Sequence, residues 1–367
     1  MILMNDFKAE PNELKTAMLN SAERVIESGW YVLGKEVENF EREWASKCGT
    51  NHAIGVANGM DAIEIILRSL SIGPGDEVIT TPMTAFASVL AIFRAGATPV
   101  LADIDPESAH LSIESVKRCI NAKTKAILLV HLYGQIRNIR QWQSLAKSSD
   151  IYLIEDCAQA HLAKLEGKTA GSFGVAGAYS FYPTKNLGAP GDAGMLVTDD
   201  GHLANMAACL RNYGQSVRYF HPEIGLNSRL DEMHAAILSA RLKWLDNFTA
   251  RRREIASRYY AEITAPYVRL MAKPQELEAH VYHLFVLLCP QRDALQKHLE
   301  HHGIQALIHY PVPIHLQESC LSIKRDPAGL EFSEEHARCC LSIPCHPQMS
   351  DVDVTHVITS INAFQAI

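Results

Sequence analysis

Residues 77–156 read EVITTPMTAFASVLAIFRAGATPVLADIDPESAHLSIESVKRCINAKTKAILLVHLYGQIRNIRQWQSLAKSSDIYLIED. Within this stretch, residues 77–81, 98–103, 126–131 and 151–155 are short, nearly continuous apolar runs, which predict strands buried on both faces. Between them, residues 85–95, 112–120 and 139–148 repeat apolar side chains at three- and four-residue spacing, which predicts helices. Strand and helix in alternation imply a mainly parallel sheet between helical layers, an α/β fold.

The pattern extends in both directions. Upstream, residues 53–56 read as a strand that turns at Asn58-Gly59 into a helix over 60–70, and residues 12–48 read as helix interrupted by Ser28-Gly29 and Gly34. Core packing is the default for Trp30 and Tyr31 in that interruption. Downstream, residues 177–182 read as a strand, and a long helix runs from about residue 230 to 263. Pro266 marks a boundary. A strand at 283–288, a helix at 293–302, a strand at 304–307 and a last helix from about residue 352 form a smaller α+β unit. We therefore expect a large domain over 1–245 and a small carboxy-terminal domain over 246–367, as 367 residues exceed one ordinary core.

Composition limits the function classes. Hydrophobic residues make up 47% and charged residues 20%, so the chain has material for a large core and no bias toward disorder. A net charge of -7 argues against a nucleic-acid binder, although a local basic pocket for a phosphorylated ligand stays compatible with it. The nine cysteines form no C-x-x-C, and the start MILMNDFKAEPNELK lacks a signal-peptide pattern, so free thiols in a reducing cytoplasm are expected. No apolar stretch approaches the roughly 18 to 20 residues of a membrane span.

Three features carry chemistry. The helix beginning after Gly59 offers free backbone N–H groups and a positive dipole end to an anion, most often a phosphate. Asp156 follows the buried run IYLIE at a strand end, where open α/β sheets bind their ligands, and must be solvated, hydrogen-bonded or paired. Gln159 and His161 follow closely. Lys185 lies in SFYPTKNLGAPGDAGMLVT, residues 180–198, on a turn broken by prolines and glycines. Apolar surroundings disfavour its ammonium and leave an amine able to attack a carbonyl. Plain alternatives stay open for each: an ordinary strand-to-helix turn, a cap, a solvated lysine. Arg218 and Asn227 occupy a long irregular loop before the long helix and are further candidates for contact.

Competing chemistries lack their spacings. There is no G-x-x-x-x-G-K-[ST], the glycines of GSFGVAG do not match a dinucleotide fingerprint, and no G-x-S-x-G occurs. His298, His301 and His302 fit an exposed helix end better than a metal site, and Cys339, Cys340, Cys345 and His346 lack zinc spacing, so no metal is assigned. An anion cradle, a carboxylate and an activated lysine are together what pyridoxal 5'-phosphate requires: they serve its phosphate, its ring nitrogen and its aldehyde.

The ordered segments SGWYVLGKEVENFE, GVANGMDAIEIILRSLSIGPGDEV, GATPVLADID, VHLYGQ, IEDCAQAH, SFYPTKNLGAPGDAG, LRNYG and GLNSRLDEMHAAIL resemble the DegT-type sugar aminotransferases, pyridoxal-phosphate enzymes of fold type I. The resemblance spans nearly the whole chain. It implies a large domain with a seven-stranded type of sheet and a small carboxy-terminal domain. It makes Lys185 the Schiff-base lysine and proton carrier, pairs Asp156 with the pyridine nitrogen, and sets Gln159 near the ring hydroxyl. Gly59, the Met60 N–H and Ser180 would hold the phosphate, and Asn227 would reach the phosphate of a partner subunit in a homodimer. Two positions depart from the family pattern: Met60 replaces a hydroxyl residue, and Ala85 stands where relatives carry an aromatic residue that stacks on the ring. Lys185 separates the chain from the dehydratase branch, which has histidine there.

The segment HYPVPIHLQ, residues 309–317, resembles the branch that aminates the third carbon of dTDP-linked 3-keto-6-deoxyhexoses. The resemblance thus implies L-glutamate and a nucleotide-linked keto sugar as substrates, for amino sugars such as those of lipopolysaccharide, S-layers or antibiotics. Tyr182, Arg218, His309 and Tyr310 become candidates for sugar-nucleotide contacts, with Arg218 facing the diphosphate. Amination at the fourth carbon, and a cofactor-binding regulatory protein without catalysis, are the alternatives.

Overall fold

The computed structural model describes residues 1–365. Helices α1 (Asn12–Ser28) and α2 (Lys35–Cys48) each end on a glycine in the left-handed region, Gly29 at φ 64° and Gly49 at φ 71°. The alternating part follows as β1 (His52–Val56), α3 (Gly59–Ser69), β2 (Glu77–Thr80), α4 (Phe86–Arg94), β3 (Thr98–Leu101), α5 (Ile113–Cys119), β4 (Thr124–Val130), α6 (Ile139–Ser148) and β5 (Tyr152–Asp156). A two-stranded turn, β6 (Lys164–Leu165) with β7 (Lys168–Thr169), leads to β8 (Ala176–Ser180), β9 (Gly194–Thr198) and α7 (Gly201–Leu210).

These strands form one sheet in the order β1-β9-β8-β5-β4-β2-β3. Only β9 runs against its neighbours; the pairings from β8 to β3 are parallel. Successive residues point to opposite faces, and both faces are apolar. Ile127 and Leu129 join a core with Trp44, Trp142 and Leu238, whereas Ala126 and Leu128 join another with Ile65, Ile92 and Leu203. Burial on both faces explains why the strands read as unbroken apolar runs.

Helix α8 (Glu232–Glu262) is 31 residues long and serves two cores. Leu238, Leu242 and Leu245 pack against the large sheet, whereas Ile255, Ala256 and Tyr259 enter a second cluster with Leu295, Leu341 and Val357. The expected boundary at 245/246 therefore falls within this helix. Beyond it come β10 (Arg269–Leu270), β11 (Phe285–Leu288), α9 (Arg292–His301), β12 (Lys324–Arg325), α10 (Glu331–Cys339), β13 (Cys340–Ile343) and α11 (Asp351–Asn362). Strands β10, β11 and β13 form an antiparallel sheet, and α11 opens with a capping box between Ser350 and Asp353.

Several expectations change. The sheet gains an eighth strand, because the two-residue β12 crosses back from the carboxy-terminal part to pair with β3. Residues 304–307 form no strand; only Ile304 and Leu307 make isolated bridges, to Ile2 and Ser342. Trp30 and Tyr31 are exposed rather than packed in a core. Strands β9 and β13 and helices α7 and α10 have no counterpart in the sequence reading.

Candidate active site

The parallel strands bring their carboxyl ends to one edge. Register pairs Val130 with Asp156, Asp156 with Ala178, and Ser180 with Gly194, which in turn faces Val56. Asp156 is thus the last residue of β5, Ser180 the last of β8, and α3 starts three residues after β1.

The start of α3 is held tightly. Asn58 caps it by accepting from the Asp61 N–H at 2.8 Å, and Ser228 accepts from the Ala57 N–H at 3.1 Å. The N–H groups of Gly59 and Met60 belong to the first turn, ahead of the intrahelical ladder. A Cβ on Gly59 would lie 2.7 Å from Ser180 Cβ, so only glycine permits this approach of helix to strand end. The Ser180 hydroxyl is at this junction.

Asp156 is buried, and its carboxylate accepts from the Ser88 hydroxyl at 2.7 Å and the Ala158 N–H at 3.1 Å. Thr84 lies 2.9 Å from the Ser88 oxygen. Directly before Asp156, Glu155 is fully buried and accepts from His131 Nε2 at 2.8 Å and from the N–H groups of Gly171, Phe173 and Gly174 at 2.7–2.8 Å. His131, Glu155 and Cys157 cluster closely enough to suggest a cation, but the Glu155 oxygens are committed to these donors. That carboxylate fixes the turn before β8.

Lys185 is on a loop folded back on itself: Phe181 donates to the Ala193 carbonyl at 2.7 Å, Ala189 to Phe181 at 2.8 Å, and Lys185 to Tyr182 at 2.8 Å. Burial lowers its pKa to about 8, opposed only by the attraction of Asp156. Three histidines feel the same lysine. His161, His283 and His309 are held neutral first by burial, with Lys185 lowering each further; His161 falls to about 3 and His309 to about 4. His161 Nε2 bonds the Ser180 carbonyl at 3.0 Å, and its buried Nδ1 has no partner. Asn186 spends its amide N–H on the Val281 carbonyl, so its oxygen accepts from His283 Nδ1–H at 3.3 Å, tying the lysine turn to the approach to β11.

Gln159 closes another side. Its oxygen accepts from the Tyr133 N–H at 2.6 Å, and its amide nitrogen lies 3.3 Å from the Tyr310 hydroxyl. The Tyr310 pKa rises to about 12, through burial first and then the charge of Asp156. Tyr133 donates its own hydroxyl to the His309 carbonyl at 2.7 Å.

The structure therefore brings together Gly59, Met60, Asp156, Gln159, Ser180, Lys185, His309 and Tyr310. Tyr182 stands at the exposed rim. Arg218 and Asn227 do not join the group through any bond among the described residues: Arg218 stacks on Tyr219, 5.0 Å from the ring centroid, and Asn227 is exposed and bridges Asn212 through its backbone. Sequence reasoning missed Ser88, Tyr133, Asn186 and His283. Asn186 was signalled by adjacency to Lys185, Ser88 by TTPMTAFAS and Tyr133 by VHLYGQ; nothing marked His283. Of the discounted metal candidates, His298 bonds the Ser360 carbonyl and His302 the His298 carbonyl.

An anion-ready helix start, a buried carboxylate and a lysine of lowered pKa fit pyridoxal 5'-phosphate in donor chemistry and in close backbone approach. Residues 12–362 match the DegT/DnrJ/EryC1/StrS aminotransferase family. The chain belongs to that family. Among its relatives, the dTDP-3-amino-3,6-dideoxy-alpha-D-galactopyranose transaminase of Aneurinibacillus thermoaerophilus is 45% identical over 93% of this chain and 93% of its own. A pleiotropic regulatory protein of Geobacillus stearothermophilus is 40% identical over 98% of each. The crystal structure of Streptomyces venezuelae DesV in complex with a ketimine intermediate has a TM-score of 0.94 and 40% identity, over 99% of this chain and 97% of its own. The protein is a sugar aminotransferase with the type I fold, and pyridoxal 5'-phosphate is its cofactor. Among the described residues, no helix is long and apolar enough to cross a membrane.

Proposed function

We propose that this aminotransferase moves an amino group from L-glutamate to the third carbon of a dTDP-linked 3-keto-6-deoxyhexose. The observation that carries the reading is the meeting of Tyr310 with Gln159 beside Asp156, because it brings the segment that resembles the C-3 branch against the ring pocket. The names of the Aneurinibacillus and Streptomyces relatives support the same carbon.

The cofactor supplies an electrophilic carbonyl carbon and a protonated ring that takes up electrons. Lys185 would offer its amine to that carbon and would carry a proton to and from the substrate carbon. Asp156, hydrogen-bonded by Ser88 and the Ala158 N–H, would pair with the ring nitrogen. Gln159 borders the ring hydroxyl. Gly59, Met60 and Ser180 hold the phosphate through backbone N–H groups and a hydroxyl. His309 and Tyr310 contact the sugar from within the pocket, and Tyr182 and Arg218 meet the nucleotide from the rim.

A homodimer accounts for the residues that stand apart. Asn227 has no side-chain partner among the described residues, and the surrounding loop exposes Val217, Tyr219, Phe220 and Ile224; Trp30 and Tyr31 are exposed too. A second copy covering this surface would carry Asn227 to the phosphate of its partner. With nine free cysteines and no disulfide among the described residues, the reading places the enzyme in a reducing cytoplasm.

The experiment is an assay of the purified protein with L-glutamate against 3-keto and 4-keto nucleotide sugars, with NMR of the product. Amination at C-3 supports the reading. Amination only at C-4 overturns the carbon assigned, and a cofactor absorbance band that never responds to glutamate favours a regulatory role.

A further inference from the structure

Away from this site, a cavity of about 470 Å³ opens between the approach to β10 and helix α10. Pro106, Tyr267, Leu288 and Phe332 give it apolar walls; Arg269, Gln291, Glu335 and His336 are its polar members. Tyr267 and Phe332 are both exposed aromatic rings carried on different elements.

His336 sets the chemistry. Its ring is 3% exposed, and Nε2 lies 2.8 Å from the Tyr133 hydroxyl. That hydroxyl has one proton and spends it on the His309 carbonyl, which can only accept. Nε2 must therefore donate to the Tyr133 oxygen. Burial first, and then Arg269, lowers the His336 pKa to about 4, so the ring is neutral and has no second proton. Nδ1 is left as a bare acceptor, buried and without a partner. Buried acceptors are seldom left unpaired, and apolar neighbours cannot satisfy this one.

The cavity lining carries the guanidinium of Arg269 and the carboxylate of Glu335. Arg269 forms no ion pair among the described residues, and its guanidinium reaches only the Pro106 carbonyl, at 3.5 Å.

We propose that this cavity is a ligand site for a small planar aromatic anion that carries an O–H or N–H donor. The donor meets His336 Nδ1, the ring lies against Phe332 and Tyr267, and the anionic group lies at Arg269. The site is separate from the cofactor pocket, yet Tyr133 bonds to both His336 and Gln159, so the two share one hydrogen-bonded chain.

The test is calorimetric titration of the holoenzyme with 4-hydroxybenzoate, and with benzoate, which lacks the donor. Millimolar or tighter binding of 4-hydroxybenzoate is expected, at least about tenfold tighter than benzoate. Arg269→Ala and Phe332→Asp, both at exposed side chains, should each weaken it by about tenfold or more with the thermal midpoint unchanged. Equal binding of the two compounds would overturn the role of Nδ1. Binding unaffected by either substitution would place the compound elsewhere, and no heat at millimolar concentration would remove the site.

Discussion

Ser88, the third residue of α4, donates its hydroxyl proton to the carboxylate of Asp156 at the end of β5, 2.7 Å away. With that proton spent, the 2.9 Å contact with Thr84 must be a donation from Thr84 to Ser88. The buried Asp156 carboxylate is thus held by a hydrogen-bond relay that begins one loop away. Ser88→Ala removes a hydrogen bond to a charged group worth about 1.5–3 kcal/mol. We expect cofactor affinity to fall by about tenfold or more, and the thermal midpoint of the apo-protein to fall as well, because a buried carboxylate loses its donor. Absorbance titration of apo-protein with pyridoxal phosphate measures it, and unchanged affinity would detach Ser88 from the role given to Asp156.

Lys185→Ala should lower turnover by at least about a thousandfold, because no neighbour can replace the amine; His161, His283 and His309 offer imidazoles, which form no imine. Single-turnover measurements with the keto sugar are the check. A rate near that of the wild type would sink the assignment.

The lowered pKa of Lys185 also predicts a pH dependence. Between about 8 and the ordinary value of 10.5, the unfolded lysine is protonated and the folded one is not. The unfolded state then binds more protons, so stability rises with pH across this window and the charge-burial cost is fully present below it. Chemical denaturation of apo-protein and of Lys185→Met should show the wild type gaining stability relative to the variant from pH 8 to 10. A flat difference would mean that the lysine is not desolvated.

Gly59→Ala would bring a methyl to 2.7 Å from Ser180 Cβ and 3.1 Å from its Cα. We expect a loss of about 1–3 kcal/mol from overpacking and weaker cofactor binding, as the helix start moves off β8. Gly201→Ala is the control, since its nearest neighbour would be 3.6 Å away. Equal thermal midpoints for the two variants would contradict the close approach.

Shared active sites predict complementation. Lys185→Ala and Asn227→Ala chains, each inactive or weak alone, should recover up to about a quarter of wild-type activity after mixed refolding, because half the dimers then hold one intact site. No recovery from a verified heterodimer would place Asn227 in its own subunit's site.

The layered sheet, the helix start at Gly59 and the trio of Gly59, Asp156 and Lys185 are legible in the sequence. Strands buried on both faces read as apolar runs, strand ends are where ligands bind, and the prolines and glycines around Lys185 announce a turn. Strand β9 was hidden because its glycine-rich approach reads as irregular, and Trp30 and Tyr31 were misread because an aromatic residue does not reveal which surface it faces. That Ser88, 68 residues from Asp156, is its donor, and that Tyr310, 151 residues from Gln159, closes the pocket, follows from long-range packing. The desolvation of Lys185 depends on this packing as well. A pKa near 8 belongs to the lysine's surroundings, which chain adjacency cannot specify and the meeting of β5, β8 and the 309–310 segment does.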